Sequence, residues 1–381
     1  MIQGNKFLHI FDDAIIGQST IELFDKLEFA QKFIVISLNT DRWSAFAADK
    51  SNVRILDYYK ENVVKELESE IRESDIIFAQ ALSYEKAKAM ARSKKSNKVF
   101  IWGLWGYGLY NIVSYFKGEA DEYRTTLNQK KGALSRIKEH YTFNYIYKRA
   151  VKKLDICNFL LEHDFNLLKE SIPNDAKWRT ACYQTIENLT GGNIDFTIKG
   201  DSILLGNSST PSNRHELAID ILRKSKVERK IIAPLNYGDE NYKERIIKLG
   251  KNALGKKFVP LTEFIKLEEY TGMIQECSHV IMPHKRQQAF GTIMMMIYGG
   301  SKLYLSEEGP LYFWLKEMGI TVFSIEKDLS TEIKFELMDS QKRANREIVS
   351  NFLSEKSILE RIEILMEDAI QISKSRSLEK A

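Results

Sequence analysis

Short apolar runs alternate with helical patterns along the chain. The runs at 7–11, 33–38, 53–56, 76–79, 99–102 and 156–161 are apolar on consecutive positions, as strands buried on both faces are. A second series lies at 202–206, 231–234, 279–283, 303–306 and 321–323. Between the runs, 16–31, 61–73, 84–94, 213–224, 242–254, 263–276 and 292–298 carry apolar residues at three- and four-residue spacing, the period of a helix packed on one face. Repeated strand–helix alternation predicts the α/β class, with parallel sheets covered by helices on both faces. The two series are separated by turn material, Thr-Gly-Gly-Asn at 190–193 and Lys-Gly-Asp at 199–201. The expected organisation is a Rossmann-like domain over 1–190, a second over 200–337 and a helical tail over 338–381. A long helix over 351–372 would let that tail cross back onto the first domain. The chain shows no internal repeat and no low-complexity tract.

Composition narrows the class. The chain has 381 residues, 44% hydrophobic and 28% charged, which suits two ordinary globular domains and excludes disordered, collagen-like and disulfide-scaffold classes. Cys157, Cys182 and Cys277 lie far apart, with no metal-knuckle spacing, so reduced thiols in a cytosolic setting are expected and no bound metal. The first residues turn acidic too soon for a signal peptide. No uncharged apolar run reaches the roughly 18 residues a membrane helix needs. Lys and Arg number 56 against 52 Asp and Glu, a net charge of +4, which is too mild to argue for a nucleic-acid partner.

Ligands of open parallel sheets bind outside the carboxyl ends of the strands, so the chemistry is expected in the loops there. The first run ends in Asp12 and Asp13. Either could serve as a general base, or the pair could cap the next helix. His9, inside the run, reads as a core or site-wall histidine. The stretch 102–110, with Trp105, Gly106, Tyr107, Gly108 and Tyr110, allows close backbone approach and offers flat aromatic faces to a sugar. Packed inward, the same residues would form a tight loop. Residues 130–153 carry Lys130, Lys131, Arg136, Lys138, Lys148, Arg149, Lys152 and Lys153 against Glu139, with Tyr141, Phe143, Tyr145 and Tyr147 interleaved. That pattern suits an anionic membrane surface, and a solvated helix face is the alternative.

In the second series, Gly206, Asn207 and Ser208 follow a strand, and a helix opens near His215; backbone amides in such a turn can hold a phosphate. Lys285, Arg286, Gln287, Gln288, Gly291 and Thr292 lead from another strand into an apolar helix. Lys285 and Arg286 could neutralise a diphosphate leaving group beside the helix start. Glu308, after the next strand, could accept hydrogen bonds from sugar hydroxyls or cap the helix at Pro310.

Several of these stretches resemble glycosyltransferase family 56, the bacterial transferases that add 4-acetamido-4,6-dideoxygalactose (Fuc4NAc) to a lipid-linked disaccharide in enterobacterial common antigen synthesis. The matching residues are W-x-x-W-G-x-x-L-Y at 102–110, L-x-G-N-S with S-N-x-H-E at 204–216, R-Q-Q-x-x-G-T at 286–292 and E-x-P at 308–310. The resemblance implies a GT-B fold, two facing Rossmann-like domains with a cleft between them. It implies a thymidine-diphosphate-sugar (dTDP-sugar) donor, an undecaprenyl-diphosphate-linked acceptor, no cofactor, and a peripheral place on the cytoplasmic face of the inner membrane. Donor binding would fall to Gly206, Asn207, Ser208, His215, Lys285, Arg286, Gln287, Gln288, Gly291, Thr292 and Glu308. Acceptor binding would fall to Asp12 or Asp13, Trp105, Gly106 and Tyr110, with the basic stretch, Lys148, Arg149, Lys152 and Lys153, near the membrane and its lipid phosphates. Asp13 or Asp12 would serve as base if the transfer inverts; if it retains, the carboxylates would orient the acceptor. The chain departs from the family pattern at Tyr107 and Gly108, where an Ala-Asp pair is replaced, and at 14–17, where a His-His-Asn run is missing. Two other readings share the donor-side residues: a sugar-nucleotide epimerase or hydrolase of the same architecture, and a non-catalytic sugar-nucleotide-binding scaffold.

Overall fold

The computed structural model describes residues 5–14, 16–106, 108–118, 132–180, 182–263 and 265–378. The chain divides into two compact units. Of the described residues, those up to 118, 132–184 and 355–378 form the first, and 185–354 form the second.

The first unit is built on seven strands: β1 (Lys6–Asp12), β2 (Ala30–Ser37), β3 (Val53–Asp57), β4 (Ile76–Gln80), β5 (Val99–Gly103), β6 (Ile156–Asn158) and β7 (Lys177–Arg179). Their order is β3-β2-β1-β4-β5-β6-β7, and every pairing is parallel. Ile10 of β1 lies opposite Ile34 of β2 and Ala79 of β4, all fully buried. The sheet winds outward in both directions from β1 and β4. The crevice beyond their carboxyl ends is therefore a topological switch point, where open α/β sheets bind ligands.

The second unit repeats this plan with β8 (Ser202–Leu205), β9 (Ile231–Pro234), β10 (Phe258–Leu261), β11 (Cys277–Met282), β12 (Lys302–Leu305) and β13 (Phe323–Ser324). The order is β10-β9-β8-β11-β12-β13, again parallel throughout. Its switch point lies between β8 and β11. Its core joins Ile203, Leu205, Ile231, Ile281 and Tyr304 from the strands with Ile219, Leu222, Tyr242 and Ile246 from the helices His215–Lys224 and Glu240–Leu254.

The tail divides between the units. Helix Asp339–Phe352 packs against helix Phe290–Gly299 of the second unit. After a break at Leu353 and Ser354, helix Glu355–Leu378 joins the first. There it buries Ile358, Ile362, Leu365, Met366, Ala369 and Ile370 among Phe24, Phe78 and Val99. Each such side chain contributes about 1.5–3 kcal/mol when fully buried. Polar contacts fix its register: Arg179 pairs with Asp368, and Arg376 Nη1 donates to Asp155 Oδ2 at 3.1 Å.

Each expected run meets a strand, but the last, expected over 321–323, is only Phe323–Ser324, and the other departures have local causes. The expected helix over 16–31 ends at Asp25, and β2 begins at Ala30. Leu27 and Phe29 keep the apolar spacing going because they pack on the core from a turn. The run 156–161 leaves the sheet after Asn158, whose Nδ2 donates to Arg179 O and Thr180 O. Residues 159–161 stay buried outside the ladder. Two strands escape the apolar-run criterion because both lie on edges. β7 is Lys-Trp-Arg, and β10 carries Pro260, a residue confined to edges because it cannot donate to the ladder.

Candidate functional site

At the second switch point, β8 ends in Gly206, whose φ of +66° lies in the left-handed region. A Cβ there would meet His215 Nε2 at 2.5 Å and Asn213 Oδ1 at 2.9 Å, so only glycine fits. The chain then loops through 207–214 over the strand end. Asn213 organises that loop. Its Oδ1 accepts from Asn207 N (3.0 Å) and from His284 Nε2 (2.9 Å) in the loop after β11. Its Nδ2 donates to Ser208 Oγ and Thr210 Oγ1, both at 2.9 Å. Thr210 bonds Ser212 at 3.0 Å, and Ser212 Oγ donates to Gln288 Oε1 at 2.7 Å. Gln288 returns a bond from Nε2 to Asn207 Oδ1 at 2.8 Å and accepts from Arg286 Nε at 2.8 Å.

One connected network thus ties both switch loops together. It includes Asn207, Ser208, Arg286 and Gln288, all singled out from the sequence. Arg286 is buried to 6% exposure and carries a permanent charge. Lys285 pairs with Glu308, and Arg214 Nη1 lies 3.6 Å from the same carboxylate. The hydrogen bond from Lys285, with the charges of Arg214 and Lys285, holds the Glu308 carboxyl below its ordinary range despite the opposing effect of burial. A Cβ on Gly309 would meet His284 O at 2.3 Å, so the loop after β12 presses against the loop after β11. Gly291 and Thr292 sit in the first turn of helix Phe290–Gly299, and Gln287 is half-buried between Arg286 and Gln288. Arg214 (φ 47°) and Ala289 (φ 56°), the residues just before the two helices that leave this site, are both left-handed. Such strain in non-glycine residues is characteristic of functional loops.

Both histidines here are neutral. Tyr242 OH donates to Glu216 Oε2 (3.0 Å), so toward His215 Nδ1 (3.1 Å) it accepts. This places the His215 proton on Nδ1 and turns the bare Nε2 toward Gly206. His284 carries its proton on Nε2, facing Asn213 Oδ1. Burial pushes both imidazoles down to about 3; for His284 the charges of Arg286 and His215 add to it.

The first switch point has different chemistry. Asp13 is fully engaged: Oδ1 accepts from Trp43 Nε1 (2.8 Å) and Arg42 Nη1 (3.1 Å), and Oδ2 from Ser37 Oγ (2.9 Å). Burial alone would raise its pKa, but the bonds from Trp43 and Ser37 and the Arg42 charge outweigh it and hold the carboxyl low. Such a group is a poor base. A Cβ on Gly17 would meet the Trp43 ring at 2.6 Å, so the start of the first helix packs closely on that ring. Asp12 accepts from Ser83 Oγ (3.1 Å) and pairs with Lys86 Nζ (3.0 Å). Lys86 is fully buried, and its ammonium also donates to Ile10 O (3.3 Å) and Gln80 O. Burial lowers its pKa and the neighbouring Asp12 charge opposes that.

Trp105 stands half-buried, donating from Nε1 to Gln80 Oε1 at 3.0 Å, next to Gly106 with φ +97°. Tyr110 lies elsewhere than expected. It is fully buried, with its hydroxyl donating to Asp164 Oδ1 at 2.9 Å, in the core and away from any ligand-facing surface. His9 is a core histidine among Phe24, Phe33 and Phe78. Of the basic stretch, Arg149 and Lys152 are exposed and Lys148 is half-buried. Lys153 is engaged otherwise: its Nζ donates to Met90 O (3.0 Å), Ala91 O (2.8 Å) and Ser93 O, capping helix Tyr84–Arg92. Ile15, Tyr107, Lys130 and Lys131 lie outside the described residues.

Sequence reasoning missed Asn213 and His284 as site residues, and Lys86. Asn213 stood in the quoted S-N-x-H-E stretch, but nothing in one sequence tells a loop asparagine that accepts and donates four bonds from one that faces water. Lys86 did leave a signal, a lysine on the Ala87, Ala89 and Met90 face of an otherwise amphipathic helix.

Residues 187–358 match the family model described as 4-alpha-L-fucosyltransferase glycosyl transferase group 56, the family the motifs resemble. The match includes the whole second-unit site. Among solved structures, the chain is similar to HepE of Anabaena in complex with UDP and glucose (12% identity, TM-score 0.62, covering 96% of this chain and 100% of that one). It is similar to a glycosyltransferase from Rickettsia africae (14%, TM-score 0.58, 97% and 99%). A third likeness is to the N-terminal domain of trehalose-6-phosphate phosphatase from Candida albicans (9%, TM-score 0.63, 97% and 97%). At these identities the likeness is one of fold. The family match and the fold make the chain a glycosyltransferase of GT-B architecture.

Two outcomes follow from this geometry. Asn213→Ala strands Asn207 N–H, His284, Ser208 and Thr210, each left-over partner costing about 1–3 kcal/mol. Its denaturation midpoint should fall clearly below that of the parent protein, and an unchanged midpoint would contradict the network. His215 and His284 bind protons near pH 6.5 when unfolded and only near 3 when folded. Their contribution is complete above about pH 6.5 and is lost as pH falls toward 3, at up to about 1.4 kcal/mol per unit for each imidazole. Melting temperature should therefore drop between pH 7.5 and pH 5; a flat profile would contradict neutral burial.

Proposed function

Taking the chain as a GT-B glycosyltransferase, we propose that it moves an amino-deoxy sugar of the Fuc4NAc kind from a dTDP-sugar to an undecaprenyl-diphosphate-linked oligosaccharide. It would act at the cytoplasmic face of the inner membrane. The observation that carries the donor half is the polar network at the second switch point, closed around the buried Arg286. In this reading the donor diphosphate lies against Arg286, Lys285 and the start of helix Phe290–Gly299, with the Gly206–Ser208 turn beside it. As the bond from sugar to diphosphate breaks, the growing negative charge on the leaving group meets positive groups already fixed in place. Gln288 holds the guanidinium in position and Ser212 holds Gln288, so little reorganisation accompanies the reaction.

On the acceptor side the reading assigns the base role to Asp12. Asp13 is saturated by Trp43, Ser37 and Arg42, whereas Asp12 pairs with Lys86 and accepts from Ser83, which orient its carboxylate. Trp105 and Gly106, beside Gln80, supply a flat aromatic wall and an open backbone for an acceptor sugar. None of the described helices is long and apolar enough to cross a membrane, which is compatible with a peripheral place.

The reading is tested by Arg286→Ala in a transfer assay with a dTDP-sugar and a prenyl-diphosphate-linked acceptor. Loss of a main charge at the leaving group should cost about 10²–10³ in kcat while the melting temperature stays close to that of the parent. An undiminished rate would overturn the leaving-group assignment. Donor binding without turnover in the parent protein would favour the non-catalytic scaffold.

A further inference from the structure

The basic, aromatic stretch folds into a helical segment with two unlike faces. Helix Ala133–Tyr141 continues through a π-helical turn, Thr142–Tyr147, into Lys148–Val151. One face is docked on the first unit. Phe143 stacks on Tyr115 with ring centres 4.4 Å apart, Asn144 Nδ2 donates to Tyr115 OH at 2.8 Å, and Ile146 is buried. The other face presents Leu134 at 83% exposure, Ile137 at 67%, Tyr141 at 51% and Tyr145 at 49%. In the α-helical part, Leu134, Ile137 and Tyr141 fall within about 60° of arc at roughly 100° per residue. Single exposed apolar residues need no explanation, but a contiguous stripe marks an interaction surface.

The charge along the segment is mostly positive. From 132 to 153 the cations are Arg136, Lys138, Lys148, Arg149, Lys152 and Lys153, and the acid is Glu139. The Arg149 guanidinium lies over the Tyr145 ring at 6.0 Å, and Tyr145 stacks on Tyr141 at 5.5 Å. A second copy of this chain would bring like charges together across a symmetric contact. An anionic bilayer matches both properties, apolar below and negative at its surface.

We propose that this stripe is inserted into the interface of an anionic bilayer. Leu134 and Ile137 enter the acyl boundary, Tyr141 and Tyr145 lie at headgroup level, and Lys138, Lys148, Arg149 and Lys152 meet lipid phosphates. This deepens the proposed function, on whose membrane setting it rests, by naming the surface that meets the bilayer. The far end of the same segment reaches the acceptor side. The turn Thr142–Tyr147 packs against helix Tyr84–Arg92, which carries Lys86, the ion-pair partner of Asp12. From Leu134 to Tyr147 is roughly 20 Å at 1.5 Å per residue. The segment therefore spaces the inserted stripe from the neighbourhood of Asp12, a consequence that rests on Asp12 as the acceptor base.

The test is co-sedimentation of the full chain with vesicles of phosphatidylglycerol and phosphatidylethanolamine, and with neutral phosphatidylcholine vesicles. The parent protein should bind the anionic vesicles and retain part of that binding at high salt, where charge is screened. Leu134→Glu with Ile137→Glu, at exposed positions, should reduce partitioning at least about tenfold with no change in melting temperature. Lys148→Glu with Arg149→Glu should weaken binding and flatten its salt dependence. Undiminished binding in the Leu134/Ile137 variant, or no binding by the parent protein to anionic vesicles, would overturn the proposal. So would a lipid-free dimer of the parent protein that the same variant dissociates. Transfer to a short-chain soluble acceptor reports separately on the enzymatic reading. If vesicle binding fails while that transfer persists, only the insertion is overturned; if transfer fails while binding persists, only the function is.

Discussion

The carboxamide of Asn213 uses all four of its hydrogen-bonding positions at once, two as acceptor and two as donor. It joins the loop that leaves β8 to the loop that leaves β11, 71 residues further along the chain. The rest of the second switch point depends on that junction. Gly206 must be left-handed for the chain to turn toward it, His284 must carry its proton on Nε2 to donate to it, and Ser208 and Thr210 must face inward to receive from it. Arg286 reaches the same network through Gln288. A buried polar cluster is costly when partly satisfied and rigid when fully satisfied. This one fixes a buried cation beside a helix start, the arrangement that charge developing on a leaving diphosphate requires.

The two sheets share one winding and differ in what stands at its turning point. In the second unit the edge carries neutral polar groups, two uncharged imidazoles, Arg286 and the Glu308 carboxylate paired with Lys285 and Arg214. In the first it carries carboxylates, and their environments separate their roles. Asp13 is tied to Trp43, Ser37 and Arg42 and braces the loop, while Asp12 is held by a lysine with no exposed surface. The second edge holds a buried cation next to a helix start, and the first holds two carboxylates. The match of residues 187–358 to the group 56 family falls almost wholly on the second unit.

Much of this was legible in the chain. Consecutive apolar runs marked the central strands because burial on both faces leaves no room for polar alternation. The same rule hid β7 and β10, whose edge positions admit Lys177, Arg179 and Pro260. Helix ends were the weak point: Leu27 and Phe29 continued the apolar period past Asp25 because a core can be filled from a turn as well as from a helix. In the second unit, glycines, basic residues and the polar loop drew attention to segments that the fold brings into one network, since close backbone approach and clustered charge leave compositional traces. Asn213, His284 and Lys86 left fainter ones, because their importance lies in partners far away in sequence. Tyr110 and Lys153 show the opposite error. Each had the right chemistry in an expected stretch, and each faces a buried partner, Asp164 or the carbonyls that end helix Tyr84–Arg92.

The most direct measurement is the ligand-induced thermal shift of the full chain with thymidine, uridine, guanosine and cytidine diphosphates, because a ligand bound only by the folded state raises its stability by mass action. The account predicts selective stabilisation by thymidine diphosphate, abolished or strongly reduced in Arg286→Ala. Stabilisation by another diphosphate alone would contradict the donor, and no shift with any of the four, at concentrations well above expected affinity, would contradict the donor site itself.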